Sequence, residues 1–283
     1  MNFNQKNIDV IIPTISNLNN LSKLIIQILR QKGSFEVCIF IINQNFKNKE
    51  LKKIFYNSKI KHIKILKKKL SKAKNIGIDF SKSSLVTFLD DDVLIPNDYF
   101  LKCYNFIKKN KVDVLFNKIL DNQNKTLTLS MSNNILKINK KNWRCCLAST
   151  MWFKKSGLSN IKFDERFGIG GPFGSGEETD YLMRSLRRGK RVFYNGQINI
   201  VHPNDNNYLS KKECFEKFKN YGFGQGALLK KFQKEFGKFS LIESTLRSVI
   251  AIFYFLFFLK SQKLIQHLAL LVGKLKGYRK FIL

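Results

Sequence analysis

Short, almost wholly apolar segments alternate with amphipathic segments in the first third of the chain, and this alternation constrains the fold most. The apolar segments are Ile8–Pro13, Phe35–Ile42 and Ser84–Leu89. Leucine and isoleucine recur at helical spacing over Leu18–Leu29, and a second helical stretch covers Leu70–Phe80. Apolar strands that alternate with amphipathic helices indicate a mostly parallel sheet with helices on both faces. The sequence therefore predicts a Rossmann-like α/β fold with its ligand site at the carboxyl ends of the strands.

The remainder of the chain is less regular. We expect strands at Val112–Phe116, Thr126–Met131 and Ala148–Phe153, then a glycine-rich loop at 168–176 and a helix from Glu177 to about Arg188. Lysine-rich amphipathic helix follows Asn207. The predicted organisation is an α/β domain over residues 1–207 and a basic helical tail over residues 208–283.

Charge is the extreme feature of the composition. The chain of 283 residues has 51 lysines and arginines against 20 acids, a formal net charge of +31. Such a surface attracts polyanions or anionic lipid, so we expect phosphate in some form as a partner. The five cysteines have no metal-binding or disulfide spacing, which favours a reduced, cytoplasmic compartment. The longest apolar run, Val249–Leu259, is too short to span a bilayer.

Six of the 20 acids lie in two short clusters. Asp90, Asp91 and Asp92 directly follow an apolar strand, and Glu177, Glu178 and Asp180 open a predicted helix. Clustered carboxylates repel each other, and a hard divalent cation is their natural compensator. The alternative is that the aspartates only end the strand and cap the next helix.

Five segments in order resemble the signatures of family 2 glycosyltransferases with the GT-A fold. They are Val10–Thr14, Leu70–Ile78, Phe88–Asp92, Phe163–Phe167 and Gly176–Asp180. The resemblance implies that residues 1–207 are a catalytic domain that uses a nucleotide-diphosphate sugar, with a UDP-sugar favoured. It further implies an inverting displacement, Mn²⁺ or Mg²⁺ on the diphosphate, and a saccharide or lipid-linked acceptor in bacterial surface polysaccharide synthesis.

The resemblance also implies roles for individual residues. The donor-binding residues would be Pro13, Thr14, Asn43, Lys72, Asn75, Asp90 and Asp91, and the metal ligands would be Asp92, Asp90 and His202. Glu178 is the preferred general base, ahead of Glu177 and Asp180. Asn43 stands where the family usually has aspartate, which leaves the base preference open. Lys72 and Lys74 are cations that could stabilise the leaving diphosphate, and the alternative for both is a solvated lysine face. The alternative for His202 is a histidine that is simply hydrogen-bonded at the end of a strand.

Two other functions stay open at this point. Phe88–Val93 also resembles the nucleophile strand of haloacid-dehalogenase-type phosphatases, in which Asp90 would attack phosphorus and Asp92 would be the acid. That family usually opens its sheet with this strand, whereas other strands precede it here. The net charge of +31 alone would suit a non-enzymatic nucleic-acid-binding protein. That reading leaves both acidic clusters unexplained, so we expect no specific nucleic acid as a partner.

The tail predicts contact with a membrane. Leu241–Leu259 is apolar nearly all round, and cations follow it at Lys260, Lys263, Lys274, Lys276, Arg279 and Lys280. An apolar helix beside cations suits an anionic membrane surface. We therefore expect a cytoplasmic protein that is peripheral on the inner face of the cell membrane. The alternative is that the helix packs on the protein or on a second subunit.

Overall fold

The computed structural model describes residues 6–15, 18–45, 57–128, 130–156, 161–203 and 209–282. The predicted domain boundary at Asn207 lies outside these residues. The strands are β1 (Lys6–Thr14), β2 (Phe35–Asn43), β3 (Ile60–Lys64), β4 (Leu85–Phe88), β5 (Val114–Leu120), β6 (Ile135–Lys137), β7 (Trp152–Lys154) and β8 (Val192–Val201). The helices are α1 (Leu18–Leu29), α2 (Leu70–Phe80), α3 (Tyr99–Lys109), α4 (Glu177–Arg187), α5 (Lys211–Lys231), α6 (Gln233–Phe236), α7 (Ser240–Phe257) and α8 (Ser261–Lys280).

The strands form one mixed, mostly parallel sheet in the order β3-β2-β1-β4-β7-β5-β8-β6. β1 pairs in parallel with β2 and β4, and β5 pairs in parallel with β8. β7 runs antiparallel between β4 and β5. β4 is buried throughout, as expected for a strand covered on both faces. The predicted α/β fold is confirmed.

The chain divides into two compact units. The first contains residues 1–163 and 184–203 and holds the sheet. The second contains residues 164–183 and 204–283, so the glycine-rich loop and the start of α4 group with the C-terminal helices. The sequence alone predicted that this loop belonged with the sheet domain.

Close contact between α5 and α8 organises the second unit. A Cβ atom on Gly226 would lie 2.0 Å from the carbonyl oxygen of Lys274, and one on Gly277 would lie 1.9 Å from that of Phe223. Each helix therefore uses glycine where the backbone of the other helix approaches. α7 lies between them in the chain, and by length and composition it is apolar enough to cross a membrane.

Candidate active site

The three consecutive aspartates lie in a turn just beyond the carboxyl end of β4. After this turn, Leu94 forms an isolated antiparallel bridge with Val201, the last residue of β8. The backbone N–H of His202 then donates to the carbonyl oxygen of Leu120 at 2.8 Å. These backbone bonds hold the end of β8 beside the aspartates and bring His202 to them.

His202 lies between the two outer aspartates. Its Nε2 atom is 3.5 Å from Oδ2 of Asp90 and 3.6 Å from Oδ1 of Asp92. Burial lowers the pKa of His202, but Asp90 and Asp92 outweigh burial and raise it to about 9. Burial also opposes ionisation of Asp90, yet His202 and Lys74 together lower the pKa of that carboxyl. The structure therefore brings together Asp90, Asp92 and His202, the three residues that the resemblance implies as metal ligands.

Asp91 faces the end of β1 instead. Its carboxylate accepts a short hydrogen bond from the hydroxyl of Thr14, which is 2% exposed. Burial raises the pKa of Asp91, and the neighbouring charges of Asp92 and Asp90 add to that shift against the Thr14 hydrogen bond. Asp91 therefore connects the aspartate turn to the first strand.

Lys74, and not Lys72, is the buried cation of α2. Lys72 is exposed, whereas Lys74 is 1% exposed, and its Nζ lies 5.2 Å from the centroid of the Phe163 ring. Lys74 also lowers the pKa of Asp90. Both lysines are expected from the sequence as cations near the donor; of the two, Lys74 lies on the buried side of α2, together with Gly77 and Ile78.

Asn43 and Asn75, two of the predicted donor-binding residues, are both buried, and their side chains form hydrogen bonds with backbone groups. Thr14 pairs with Asn43 across β1 and β2, and the side-chain carbonyl of Asn43 accepts from the N–H of Asn45 at 2.8 Å. The amide of Asn75 donates to the carbonyl of Phe163 at 3.0 Å, and its carbonyl accepts from the Phe163 N–H at 2.7 Å. Pro13 is also buried, one residue before Thr14.

The donor set around the aspartate turn suits a hard divalent cation. Mg²⁺ is usually held by one or two carboxylates together with substrate phosphates and water. Asp90 and Asp92 supply two carboxylates, and both side chains keep about a third of their surface exposed. Within the described parts of the chain, no group of three or more His, Cys, Asp or Glu side chains is arranged as a metal cage by itself. The residues therefore fit a cation that is shared with a substrate phosphate.

The second acidic cluster forms the first turn of α4. Carboxylates are favourable there because the helix dipole is positive at its amino end. Glu177 is 5% exposed and Asp180 is fully buried, whereas Glu178 is partly exposed. Of the three predicted catalytic carboxylates, Glu178 is the one with accessible surface.

An ion-pair network that runs from the surface to the buried carboxylate holds Asp180. Lys231, at the end of α5, donates to Oδ1 of Asp180 and, at 2.7 Å, to Oδ2 of Asp164. Arg166 also binds Asp164 through two nitrogens. Burial raises the pKa of Asp164, but hydrogen bonds from Arg166 and Lys231 lower it well below its ordinary value. Sequence reasoning missed Lys231, because it lies 51 residues beyond Asp180.

Comparison with known proteins identifies the family. The sequence profile of glycosyl transferase family 2 matches residues 9–173, more than half of the chain. The chain belongs to glycosyl transferase family 2. The predicted family is confirmed, and the family assignment favours a glycosyltransferase over the phosphatase and the nucleic-acid-binding protein. The match ends before Glu177, so the second acidic cluster lies outside it. No curated protein sequence matches the chain.

Solved structures support the GT-A fold of this family 2 glycosyltransferase. S. aureus TarS residues 1–349 in complex with UDP-GlcNAc has a TM-score of 0.62 and 14% identity, and the match covers 98% of this chain and 92% of that one. The same protein in complex with UDP has a TM-score of 0.61 and 16% identity, and the match covers 96% of this chain and 89% of that one. A longer TarS structure has a TM-score of 0.59 and 16% identity. The match covers 82% of this chain but only 43% of that one.

Proposed function

We propose that this glycosyltransferase moves a sugar from a nucleotide-diphosphate sugar to a saccharide or lipid-linked acceptor in bacterial surface polysaccharide synthesis. The observation that carries the proposal is the group formed by Asp90, Asp92 and His202 beyond the end of β4, with the buried cation Lys74 nearby. A UDP-sugar is the favoured donor. The solved complexes of TarS with UDP and UDP-GlcNAc, which share the fold, support this choice.

The residues proposed to bind the sugar donor stabilise the negative charge of its diphosphate. As the bond between the sugar and the diphosphate breaks, charge accumulates on the leaving group, and fixed cations stabilise it. Lys74 supplies such a charge, and its burial strengthens the interaction. Asp90 and Asp92, with His202, would hold Mn²⁺ or Mg²⁺, which acts as a Lewis acid on the diphosphate when bound. Thr14 and Asn43 would border the nucleoside, since they pair at the ends of β1 and β2.

Glu178 acts on the acceptor. An acceptor hydroxyl is a poor nucleophile until a positioned base takes its proton in the transition state. Glu178 would receive that proton while the hydroxyl oxygen forms the new glycosidic bond. Attack from the side opposite the leaving diphosphate inverts the anomeric centre. Asp180 would act as a positioning residue, because its carboxylate is buried and bound to Lys231.

We also propose that the protein is cytoplasmic and peripheral on the inner face of the cell membrane. The tail supports this location, because residues 208–283 contain 15 lysines and arginines against four glutamates. A basic segment of this kind is attracted to anionic lipid headgroups. A lipid-linked acceptor would lie at the same surface.

Donor binding provides the test of the enzymatic proposal. Thermal unfolding is measured with UDP-, GDP-, dTDP- and CMP-sugars, each with and without Mn²⁺, because a ligand that binds the native state raises its stability. One donor class, UDP-sugars first, should raise the unfolding temperature in a Mn²⁺-dependent manner.

Asp92→Ala should abolish that shift, and Asp79→Ala should retain it. Asp79 is the matched control, since its exposed carboxylate pairs with Lys162. Undiminished Mn²⁺-dependent stabilisation of Asp92→Ala would contradict the metal assignment. Hydrolysis of a simple phosphate ester without any response to nucleotide sugars would contradict the proposed function itself.

A further inference from the structure

On α7 the apolar side is exposed and the opposite side faces the protein, which is the reverse of an amphipathic helix on a water-soluble protein. Its large apolar side chains point outward, and their exposed fractions are 62% for Ile242, 55% for Leu246, 60% for Ile250, 66% for Phe253 and 82% for Phe257. These residues recur every three or four positions, so they form one stripe along the helix, which we call the outer stripe.

The opposite side of α7 faces the protein, and two of its serines are buried. Ser240 and Ser248 are 7% and 6% exposed. An amphipathic helix on a protein in water buries its apolar side, because burial removes apolar surface from water. The arrangement of α7 is therefore favourable only when the outer stripe meets an apolar medium.

A buried lysine fixes this orientation. Lys274 of α8 is 4% exposed, and its ammonium donates to the carbonyl of Ser244 at 2.7 Å and to the hydroxyl of Ser248 at 2.8 Å. On the same inner side, the Phe255 ring stacks on His267 at 5.2 Å between centroids. Turning the stripe inward would break these contacts, and loss of hydrogen bonds to a buried ammonium is costly.

The charged residues at the two ends of α7 indicate which apolar medium the outer stripe meets. Lys238 precedes the helix, and Lys260 and Lys263 follow it, all three exposed. Along the helix, Arg247 and Glu243 form an exposed pair that adds no net charge. Cations at both ends of an apolar stripe match acyl chains below anionic headgroups.

We propose that the outer stripe of α7 inserts into the surface of an anionic lipid bilayer, with the helix lying in the plane of the membrane. This inference rests on the proposed membrane location and names the face that makes the contact. A second copy of the chain would cover the apolar stripe equally well, but the end cations would then approach the same cations of the other copy.

The test is sedimentation of the full-length protein with vesicles of phosphatidylcholine alone or of equal parts phosphatidylcholine and phosphatidylglycerol. The test variant is Ile250→Gln/Phe253→Gln, which changes two exposed residues and should leave the fold intact. The matched control is Ile26→Gln/Leu29→Gln on α1, where the residues are 47% and 44% exposed.

The wild type and the α1 control should bind the anionic vesicles, more weakly in high salt. The α7 variant should bind them at least about tenfold more weakly, because two apolar side chains no longer enter the bilayer. Equal binding of the α7 variant, or equal binding to both vesicle types, would overturn the proposal. A wild-type dimer that the α7 substitutions convert to monomer without lipid would also overturn it.

The same preparations are tested for stabilisation by nucleotide sugars. Loss of vesicle binding in the α7 variant with donor stabilisation retained would support the stripe as a separate surface. Vesicle binding by a wild type that responds to no donor would support the stripe and reject the enzymatic proposal alone. The two inferences can therefore fail independently.

Discussion

At the scale of single residues, Lys231 is the centre of an ion-pair network. Its ammonium bridges Asp180 and Asp164, and it lies 5.1 Å from the centroid of the Phe167 ring. Asp180 is fully buried against this ammonium. Removal of one member of a buried ion pair leaves the other charge uncompensated, which typically costs about 3–5 kcal/mol.

We predict that Lys231→Met lowers the free energy of unfolding by about 3–5 kcal/mol, measured by urea denaturation. The double variant Lys231→Met/Asp180→Leu should be more stable than Lys231→Met, because it also removes the buried carboxylate that Lys231 contacted. Lys230→Met is the control; Lys230 lies over the Tyr278 ring, and its loss should cost less than about 1 kcal/mol. A Lys231→Met protein as stable as the wild type would show that the network is not needed.

Glu178 and Glu177 are neighbours with different surroundings, and this allows a matched comparison. Glu178→Gln should bind the nucleotide sugar normally and transfer it about 10²- to 10⁴-fold more slowly, as expected for loss of a general base. Glu177 is 5% exposed, so Glu177→Gln should alter thermal stability more than turnover. Turnover and donor-induced stabilisation are measured on both variants. A slow Glu177→Gln enzyme beside a fast Glu178→Gln enzyme would assign the base to Glu177.

At the scale of elements, glycines permit the close approach of α5 and α8. The contacts are reciprocal. A Cβ atom on Gly222 of α5 would lie 2.2 Å from the carbonyl oxygen of Leu270, and one on Gly273 of α8 would lie 2.0 Å from that of Lys219. A methyl group at such a position would have to displace backbone. Glycine elsewhere in a helix usually costs stability relative to alanine, so these positions reverse the ordinary preference.

We predict that Gly277→Ala destabilises the protein, because its Cβ would meet the carbonyl oxygen of Phe223 at 1.9 Å. The loss should be of the order of 1–3 kcal/mol, as for other overpacked sites, and urea denaturation measures it. Lys276→Ala is the control on the exposed side of the same helix and should change stability by less than about 0.5 kcal/mol. Increased stability of Gly277→Ala would mean that the helices can separate without cost.

The elements that the sequence predicted are those with a strong local pattern. The apolar runs of β1, β2 and β4 and the helical spacing of α1, α2 and α4 were sufficient for this. β3 lies at the edge of the sheet and is lysine-rich and mostly half-exposed, so it has no apolar run to detect. The predicted strand at Thr126–Met131 is wrong, because Thr126 makes only an isolated bridge with Leu120.

The candidate site was predictable to the same degree, and for the same reason. Asp90, Asp92 and Glu178 belong to short clusters that stand out in a chain poor in acids. Lys74 and Lys231 are single lysines among many, and their roles depend on burial and on partners distant in sequence. Contacts of that kind have no local period, so the sequence could not rank Lys74 above the exposed Lys72 and gave no indication of Lys231.

On the scale of the whole molecule, the far C-terminus supports the segment that leads into α4. Phe281 follows α8 and is 4% exposed. Its ring centroid lies 6.0 Å from that of Phe167, which directly precedes the glycine-rich loop, and 5.4 Å from that of Phe173, which lies within it; Arg166 lies 5.0 Å above the ring. Residues more than 100 positions apart in the chain therefore share one small aromatic core.

We predict that Phe281→Ala lowers the free energy of unfolding by about 3–5 kcal/mol, the usual cost of removing a buried phenylalanine. Ile282→Ala is the adjacent control; Ile282 is 83% exposed, so its truncation should change stability by less than about 0.5 kcal/mol. Because Phe281 contacts the loop before Glu178, the Phe281→Ala enzyme should also turn over more slowly while retaining donor-induced stabilisation. Urea denaturation and turnover of the two variants measure both effects. Equal stability of the two variants would mean that the aromatic contacts of Phe281 do not hold the loop.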